Sequence, residues 1–256
     1  MQKMNIRPFS PRGLKVVRQN DIMEKRKVES MKIIARIHND FKEKFGIPRQ
    51  SGLSGELTSR IVFEPEFRNP DALRGIEGYS HLWLIWEFSE AKRDSWSPTV
   101  RPPRLGGNKR VGVFATRSPF RPNPIGLSSV RLLAVEHAQS EGDVLIVGGA
   151  DLLDGTPIYD IKPYIAYSDC HTDAVSGFAD PVKEYALKVD FCKSLLSKVE
   201  VSKQKSLLLI LEQDPRPSYQ NNPEREYGMR FADYEIFFKV EGDTLTVTRV
   251  ESAKEA

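Results

Sequence analysis

The 256-residue sequence predicts a mainly β or α+β protein, with a strand-rich, barrel-like N-terminal domain, a small α+β C-terminal domain and no Rossmann sheet. Short apolar segments separated by glycine and proline turns follow one another from Met31 to about Pro163, which is typical of a barrel or a strongly curved sheet. The pattern changes near residues 175–180, where longer segments begin. The sequence contains no G-x-G-x-x-G turn after a strand, no P-loop and no paired-cysteine metal site.

The strands of the N-terminal domain are predicted from alternating apolar and polar residues and from β-branched side chains. In chain order, the predicted segments are Met31–Ile37, Ser59–Phe63, Tyr79–Phe88, Arg110–Thr116, Ser128–Ala134, Val144–Val147, and the pair Leu152–Leu153 and Ile158–Tyr159, which a turn at Asp154–Gly155 joins. Prolines are dense between Pro98 and Pro124, which predicts that part of this segment is loop.

The C-terminal domain is predicted from a different periodicity. Asp180–Lys198 has the apolar spacing of an amphipathic helix, with Pro181 in its first turn. Lys203–Leu211 is apolar enough to form either a helix or a strand. Phe231–Val240 and Thr244–Val250 are expected to pair as two closing strands, because turn residues separate them.

Composition sets the expected domain boundaries. Residues 1–30 carry eight Lys/Arg against three Asp/Glu with weak periodicity, and we expect a disordered basic extension or a start codon placed too early, the alternative being a basic arm that contacts RNA. Residues 31–178 form the strand-rich domain and residues 179–256 the small α+β domain. Cys170 and Cys192 give no metal-ligand spacing, and no apolar run suits a membrane span or a secretory signal. We therefore expect a cytoplasmic protein without a bound metal.

A second charge imbalance lies between Asp94 and Glu136. No carboxylate occurs there, whereas seven cationic residues do: Arg101, Arg104, Lys109, Arg110, Arg117, Arg121 and Arg131. Prolines stiffen the backbone between the arginines, and a guanidinium pairs bidentately with a carboxylate or a phosphate. Phe114 and Phe120 are available to stack on a base. A solvated charged face would normally mix both signs, so this segment predicts an anionic partner.

Two segments of the N-terminal domain each admit two interpretations. Gly46–Leu53 is either a surface loop between strands or a loop whose Arg49 and Gln50 clamp an anionic or amide-bearing ligand. Within Tyr79–Phe88, alternation places His81 on the face opposite Leu82. A single histidine in such a strand is more often a hydrogen-bonded core residue than a catalyst.

Two aspartate-containing segments also admit two interpretations each. Asp151, Asp154 and Asp160 flank a tight turn, so they either form a hairpin or bring carboxylates to a cationic ligand such as a sulfonium. Asp214–Pro217 either caps a turn or brings Arg216 to RNA.

Taken in order, these motifs resemble the tRNA-methyltransferase O family, which methylates N6-threonylcarbamoyladenosine beside the anticodon. The matching segments are Pro48–Gln50, Tyr79–Trp83, Arg101–Arg104, Ala115–Ser128, Asp151–Pro157, Asp160–Tyr164 and Asp214–Pro217. The resemblance implies a β-barrel that binds S-adenosylmethionine, a small C-terminal domain, a homodimer and a tRNA partner.

The resemblance also implies which residues form the site. The implied cofactor contacts are Pro48, Arg49, Gln50, His81, Leu82, Arg117, Leu127, Asp154, Gly155, Thr156 and Pro157. We expect Arg121, with Arg117, to meet the threonyl carboxylate of the substrate, and Arg101, Arg104, Lys109 and Arg110 to meet RNA phosphates, with Arg216 as a further RNA contact. The group that accepts the N6 proton stays open among His81, Asp151, Asp154 and the substrate itself.

The predicted activity is transfer of a methyl group from S-adenosylmethionine to N6 of N6-threonylcarbamoyladenosine at position 37 of tRNA. The first alternative is a methyltransferase of the same fold that acts on a small molecule or another RNA. The second is a non-catalytic RNA-binding module, which would bind RNA without binding the cofactor.

Overall fold

The structure is a computed structural model that describes residues 31–48, 51–52, 57–91, 95–102, 105, 109–178, 186–216 and 222–253. Ile33–Ala256 forms one compact unit, to which the description below applies. The predictions made for residues 1–30, Arg49, Gln50 and Arg104 lie outside the described residues.

Strands dominate the described part of the chain. In chain order they are β1 (Ala35–His38), β2 (Thr58–Phe63), β3 (His81–Glu87), β4 (Thr99–Val100), β5 (Val111–Gly112), β6 (Ile125–Ala138), β7 (Gly142–Gly148), β8 (Pro157–Pro163), β9 (Lys188–Asp190), β10 (Tyr227–Phe231), β11 (Tyr234–Glu241) and β12 (Thr244–Ser252). The helices are α1 (Ala166–Asp169), α2 (Lys193–Leu196) and α3 (Val201–Glu212), and short 3-10 turns occur at Pro65–Phe67, Pro70–Leu73, Ile76–Gly78, Ser89–Ala91 and Val113–Ala115. This confirms the predicted class, mostly strands with few helices.

Six of the strands pair in one antiparallel sheet, in the order β1-β2-β7-β6-β3-β8. The pairing returns from β8 to β1 through two residue pairs, Ala35 with Ile158 and Arg36 with Pro157. The contact between β3 and β6 is much longer and runs from His81 opposite Arg131 to Glu87 opposite Ile125. The ring of pairings is therefore closed unevenly, with its shortest contact next to the Asp154–Pro157 turn.

The inner face of this sheet is an apolar core. Period-two alternation puts Leu82, Leu84 and Trp86 of β3 inside, each at most 6% exposed. The buried members of the same core are Ala35, Ile37, Ile61, Phe63, Val130, Leu145, Val147, Ala150, Leu152 and Ile158, together with those three residues. The alternation predicted for β3 is thereby confirmed.

The C-terminal sheet has the order β10-β11-β12-β9 and is covered by α3. β9 joins it in parallel, with Val189 opposite Leu245, whereas the other two contacts are antiparallel. From α3, Leu207, Ile210 and Leu211 are buried in the core of this sheet. Burial of such side chains contributes roughly 1.5–3 kcal/mol each.

The segment between β1 and β2 leaves the first sheet and packs against the second. Phe41 and Leu57 belong to the C-terminal core, and the Phe41 ring lies 6.3 Å from the Phe231 ring. Gly46 has a φ of 93°, and a Cβ at this position would lie only 2.7 Å from the Cε atom of Met229. The loop that carries Pro48 is therefore held in place by the C-terminal half of the chain.

Two segment predictions are wrong. Asp180–Lys198 was expected to be one helix, but its described part contains β9 and the four-residue α2. The parallel pairing of β9 with β12 overrides the local helical spacing. Arg110–Thr116 was expected to be a strand, but only β5 is extended, and Val113–Ala115 forms a 3-10 turn.

The other segment predictions have mixed outcomes. The first strand is β1, which begins later than Met31, and β6 is longer than Ser128–Ala134 at both ends. The predicted pairing of Leu152–Leu153 with Ile158–Tyr159 is wrong, because Leu152–Leu153 lies outside any strand and Ile158 pairs with Ala35 and Trp86. The Asp154–Gly155 turn itself is present. Lys203–Leu211 is helical and lies within α3. Among the described residues, none of the helices is long and apolar enough to span a bilayer.

Gly126 is the position where the first core leaves no room for a side chain. Gly126 lies opposite Trp86, and a Cβ at this residue would be 2.2 Å from the Trp86 ring. Gly126→Ala should therefore displace the indole and lower the free energy of unfolding by about 1–3 kcal/mol. Urea denaturation measures the effect, and Gly112→Ala is the matched control, because a Cβ at Gly112 meets nothing within 4 Å. Equal stability of the two variants would contradict this packing.

Candidate active site

The Asp151 carboxyl ends a chain of hydrogen bonds that begins inside the first sheet. The Trp86 indole Nε1 donates to Ser128 Oγ at 2.9 Å, and the Ser128 hydroxyl donates to Asp151 Oδ1 at 2.5 Å. Ser128 is 1% exposed, because it lies on the inner face of β6 opposite Leu84. The core of the sheet therefore fixes the orientation of the Asp151 carboxyl.

Burial raises the pKa of the Asp151 carboxyl above its ordinary value of 3.8. The Ser128 hydroxyl, backbone hydrogen bonds at Asp151 and Ser51, and the positive charge of Arg117 act in the opposite direction and are outweighed. A carboxyl that holds its proton to higher pH is a stronger base once ionised, which suits it to accept a proton during a reaction. Of the candidate proton acceptors that the sequence left open, Asp151 therefore combines a raised pKa with a fixed orientation of its carboxyl.

The loop that carries Pro48 lies beside the Asp151 carboxyl, and the two together are called the Asp151 centre below. Just after it, the Gly52 N–H donates to the Gly149 carbonyl at 2.8 Å, and the Gly149 N–H donates to the Leu57 carbonyl at 3.0 Å. Gly149 has a φ of 79°, a conformation that glycine adopts without strain. Together with the backbone contact of Ser51, these bonds place the loop beside Asp151. Pro48 itself is buried.

The Asp154–Pro157 turn is fixed against β1. The Asp154 carboxylate accepts hydrogen bonds from the Asn39 N–H at 2.9 Å and from Lys42 Nζ at 2.7 Å. The Gly155 N–H donates to the Ile37 carbonyl at 2.8 Å. Because both oxygens of the Asp154 carboxylate already accept hydrogen bonds, Asp154 is less suited than Asp151 to act as a base.

The rest of this turn offers backbone groups and open space. Thr156 and Pro157 are buried, so they present main-chain atoms more readily than side chains. Gly155 has a φ of 74°, and nothing lies within 4 Å of the position of a Cβ. A ligand could approach the backbone closely at this residue.

His81 lies at the other end of β3. It is exposed, its Nδ1 lies 2.9 Å from Ser80 Oγ, and its ring lies 6.2 Å from the Tyr164 ring. The expectation of a core histidine is wrong, because alternation turns this residue to the outer face of the sheet. Leu82 is fully buried, so only its backbone is available to a ligand.

One copy of the chain does not bring His81 to the Asp154–Pro157 turn. Trp86 is opposite Ile158, the residue after the turn, and His81 lies five residues away along β3. At about 3.3 Å per residue, this separation is roughly 17 Å. The predicted cofactor contacts therefore fall into two groups at opposite ends of the same strand.

The arginine-rich segment supplies one charge to the Asp151 centre. Arg117 is exposed, and its charge acts on Asp151. Arg121 instead donates from its Nη1 to the Thr116 carbonyl at 3.1 Å, so it helps to hold its own loop. Leu127 is 56% exposed on the outer face of β6, next to Ser128.

The predicted RNA contacts do not all lie on the surface. Arg101, Lys109 and Arg110 are exposed at the hairpin formed by β4 and β5. Arg216 is 6% exposed, and its guanidinium donates to both oxygens of Asp214, at 2.8 and 3.0 Å. Its burial favours the interpretation of Asp214–Pro217 as a structural turn.

Sequence reasoning missed the role of Ser128. Serine is common in strands as well as in turns, and nothing in its spacing distinguishes a buried hydroxyl that bonds to a carboxyl 23 residues away. The two consecutive serines at residues 128 and 129, which interrupt the apolar residues at the start of β6, are the one available signal. Within the described ranges, no cluster of three or more His, Cys, Asp or Glu side chains is arranged to hold a metal ion.

Comparison with known proteins covers both halves of the chain. The model of the tRNA-methyltransferase O N-terminal domain matches residues 36–170, and that of the TrmO C-terminal domain matches residues 184–253. The tRNA (adenine(37)-N6)-methyltransferase of Escherichia coli (strain K12) is 40% identical over 215 residues, which are 81% of this chain and 91% of that protein. A protein of the same name from Eikenella corrodens is 48% identical over 166 residues, 64% of this chain and 92% of its own.

A solved structure agrees with the whole fold. The crystal structure of TrmO from Pseudomonas aeruginosa matches with a TM-score of 0.72 at 34% identity, over 90% of this chain and 99% of that one. At that coverage the likeness includes both the first sheet and the C-terminal sheet. The chain belongs to the tRNA-methyltransferase O family.

Proposed function

We propose that this chain transfers a methyl group from S-adenosylmethionine to N6 of N6-threonylcarbamoyladenosine at position 37 of tRNA. The observation that carries the proposal is the likeness over both halves to the Escherichia coli tRNA (adenine(37)-N6)-methyltransferase, of which 91% is covered. The cytoplasm, where tRNA is available, is the expected site of action.

The residues of the Asp151 centre fit such a cofactor. S-adenosylmethionine would supply an electrophilic methyl group on a positively charged sulfur. The buried carboxyl of Asp151 suits the cation, and the open backbone at Gly155 suits the polar edges of the nucleoside. Leu127, which is exposed on the outer face of β6, is the expected apolar contact of the nucleoside. The Arg117 guanidinium suits a carboxylate, either that of the cofactor or that of the substrate. The loop from Pro48 to Gln50 is the remaining expected contact.

Asp151 is the residue that we assign as proton acceptor. The N6 nitrogen belongs to a urea-like group, so it is a weak nucleophile until its proton leaves. The Asp151 carboxylate would take that proton, while Ser128 and Trp86 hold the carboxyl in one orientation. Desolvation keeps water from competing for the methyl group. Asp154, with its ion pair to Lys42, is left as a binding residue.

We propose that two copies of the chain complete each site. His81 and the Asp154–Pro157 turn lie at opposite ends of β3, so a second copy would bring one copy's His81 to the turn of the other. The outer face of β6 exposes Ile125, Leu127 and Leu133, a surface whose burial would favour such an association. Within each copy, the unevenly closed ring of strands is the S-adenosylmethionine-binding barrel.

The direct test is incubation of the protein with S-adenosylmethionine and tRNA that carries N6-threonylcarbamoyladenosine. Mass spectrometry of the nucleosides should show a gain of one methyl group on that nucleoside and none on unmodified adenosine. The rate should fall steeply as salt rises, since contacts with RNA phosphates release counterions. A lack of product with every tRNA of this kind would remove the proposed activity, and salt-independent turnover would favour a small-molecule substrate.

The assignment of Asp151 predicts a specific pH dependence. A base must be ionised, so kcat/KM, which reports the free protein, is high above the pKa of Asp151 and falls as pH drops through it, at a pH above the ordinary aspartate value of 3.8. Asp151→Asn should abolish this acid limb and lower kcat by about 10²–10⁴-fold. Ser128→Ala removes a hydrogen bond that favours the ionised form, so the limb should move to higher pH.

Ser129→Ala is the control for Ser128→Ala, because it removes the neighbouring hydroxyl on the opposite face of β6. It should leave the pH profile unchanged. Wild-type kcat and an unaltered acid limb in Asp151→Asn would reject Asp151 as the base and leave the methyl-transfer activity itself untouched.

A further inference from the structure

Two large aromatic side chains are stacked on the surface at the open end of the β4–β5 hairpin. Trp96 is 52% exposed and Phe114 is 71% exposed, and their ring centroids lie 6.1 Å apart with an interplanar angle of 29°. An exposed tryptophan and phenylalanine forgo the favourable burial that such side chains usually have in a folded protein. A structural role in the core does not account for this pair.

The hairpin fixes the position of both rings. Thr99 pairs with Gly112 and Val100 with Val111, and the Val113 N–H donates to the Pro98 carbonyl at 2.9 Å. Val113 is 1% exposed, so it anchors this end of the hairpin in the protein interior. Trp96 lies three residues before β4, and Phe114 lies in the 3-10 turn that follows β5. The pair of rings, called the aromatic platform below, therefore flanks the paired part of the hairpin.

Cations lie at the other end of the same hairpin. Arg101 and Arg110 follow and precede the paired residues, Lys109 is next to them, and all three are exposed. Arg110 donates one hydrogen bond, at 2.9 Å, to Thr99 Oγ1, which holds the guanidinium on the hairpin and leaves most of its five donors for a ligand. The sequence has no carboxylate from residue 95 to residue 135 to oppose them.

From this arrangement we infer that the β4–β5 hairpin binds a single-stranded part of the tRNA, with an unpaired base stacked on the Trp96–Phe114 pair and the backbone phosphates on Arg101, Lys109 and Arg110. Aromatic side chains that stack on bases, combined with cations that follow the backbone of the strand, are the usual means of holding unpaired nucleotides. The inference rests on the proposed function, since it takes the tRNA as the ligand. It adds a residue outside the methyl-transfer site, Trp96, that selects for an accessible loop nucleotide next to the modified base.

The charges argue against a second copy of this chain as the occupant. A symmetric contact between two copies would bring two such hairpins together, each with three exposed cations, and their like charges would oppose that contact. RNA supplies both the flat apolar base and the negative charge that this surface matches.

Equilibrium binding of tRNA carrying N6-threonylcarbamoyladenosine tests the inference. Trp96→Ala and Phe114→Ala should each weaken tRNA binding about tenfold, the order that the loss of one base–aromatic stack produces, with the affinity for S-adenosylhomocysteine unchanged. Trp96→Phe keeps a ring and should retain most of the affinity. Tyr167→Ala is the matched control, because Tyr167 is a 92% exposed aromatic residue elsewhere on the surface, and it should bind tRNA as the unaltered protein does.

Fluorescence gives a second measurement that needs no destabilising variant. Trp96 is the exposed tryptophan, whereas Trp83 and Trp86 are half-buried and buried. Saturating tRNA should quench the emission of the unaltered protein, and Trp96→Phe should remove that quenching while tRNA still binds. Unchanged tRNA affinity in Trp96→Ala and Phe114→Ala, or unquenched emission, would overturn the inference.

The outcomes separate this inference from the proposed function. Methyl transfer by the unaltered protein, together with unchanged tRNA affinity in both alanine variants, would remove the platform and leave the activity standing. If the unaltered protein transferred no methyl group but bound tRNA tightly, and both alanine variants weakened that binding, the proposed activity would be removed and the tRNA-binding platform would stand. Sedimentation that shows a change from dimer to monomer in the alanine variants would identify a second copy as the occupant and overturn the inference.

Discussion

The hydrogen bond from Ser128 to Asp151 connects the apolar interior of the first sheet to the loops in which chemistry can occur. Trp86 donates to the same serine, so the orientation of the carboxyl depends on an indole packed in the core. Gly126 makes this possible, because the ring occupies the space where a side chain would otherwise lie. The carboxyl that we propose as the proton acceptor is thus oriented by side chains of the apolar core.

The second determinant of the site is the segment that leaves the first sheet after β1. Phe41 and Leu57 pack in the C-terminal core, and Lys203 of α3 pairs with Asp40. The Ala232 N–H also donates to the Asp40 carbonyl at 2.9 Å. The C-terminal sheet therefore holds both ends of the loop that reaches Asp151, which gives this half of the chain a role in forming the site.

The local sequence pattern was enough to predict strands such as β3. It could not predict which residues distant in sequence come into contact. The alternation of Leu82, Leu84 and Trp86 identified β3 and its inner face, since the period of a strand is visible in the sequence. The helix expected over Asp180–Lys198 failed because β9 is specified by pairing with β12, more than fifty residues further on. Arg216 was expected to meet RNA, but it is buried, which is rare for arginine and depends on the ion pair with Asp214. The Ser128–Asp151 contact likewise exists only in three dimensions.

Counting the protons released when S-adenosylmethionine binds tests most directly whether Asp151 lies beside the methyl donor. Calorimetric titrations in two buffers of different ionisation enthalpy give that number, near the pH where Asp151 titrates. A sulfonium close to the carboxyl favours its charged form and lowers its raised pKa, so binding should release part of a proton. S-adenosylhomocysteine, which has a neutral sulfur, should release less, and Asp151→Asn should release none. Equal proton release by both ligands, unchanged in Asp151→Asn, would contradict the placement of the methyl donor at this carboxyl.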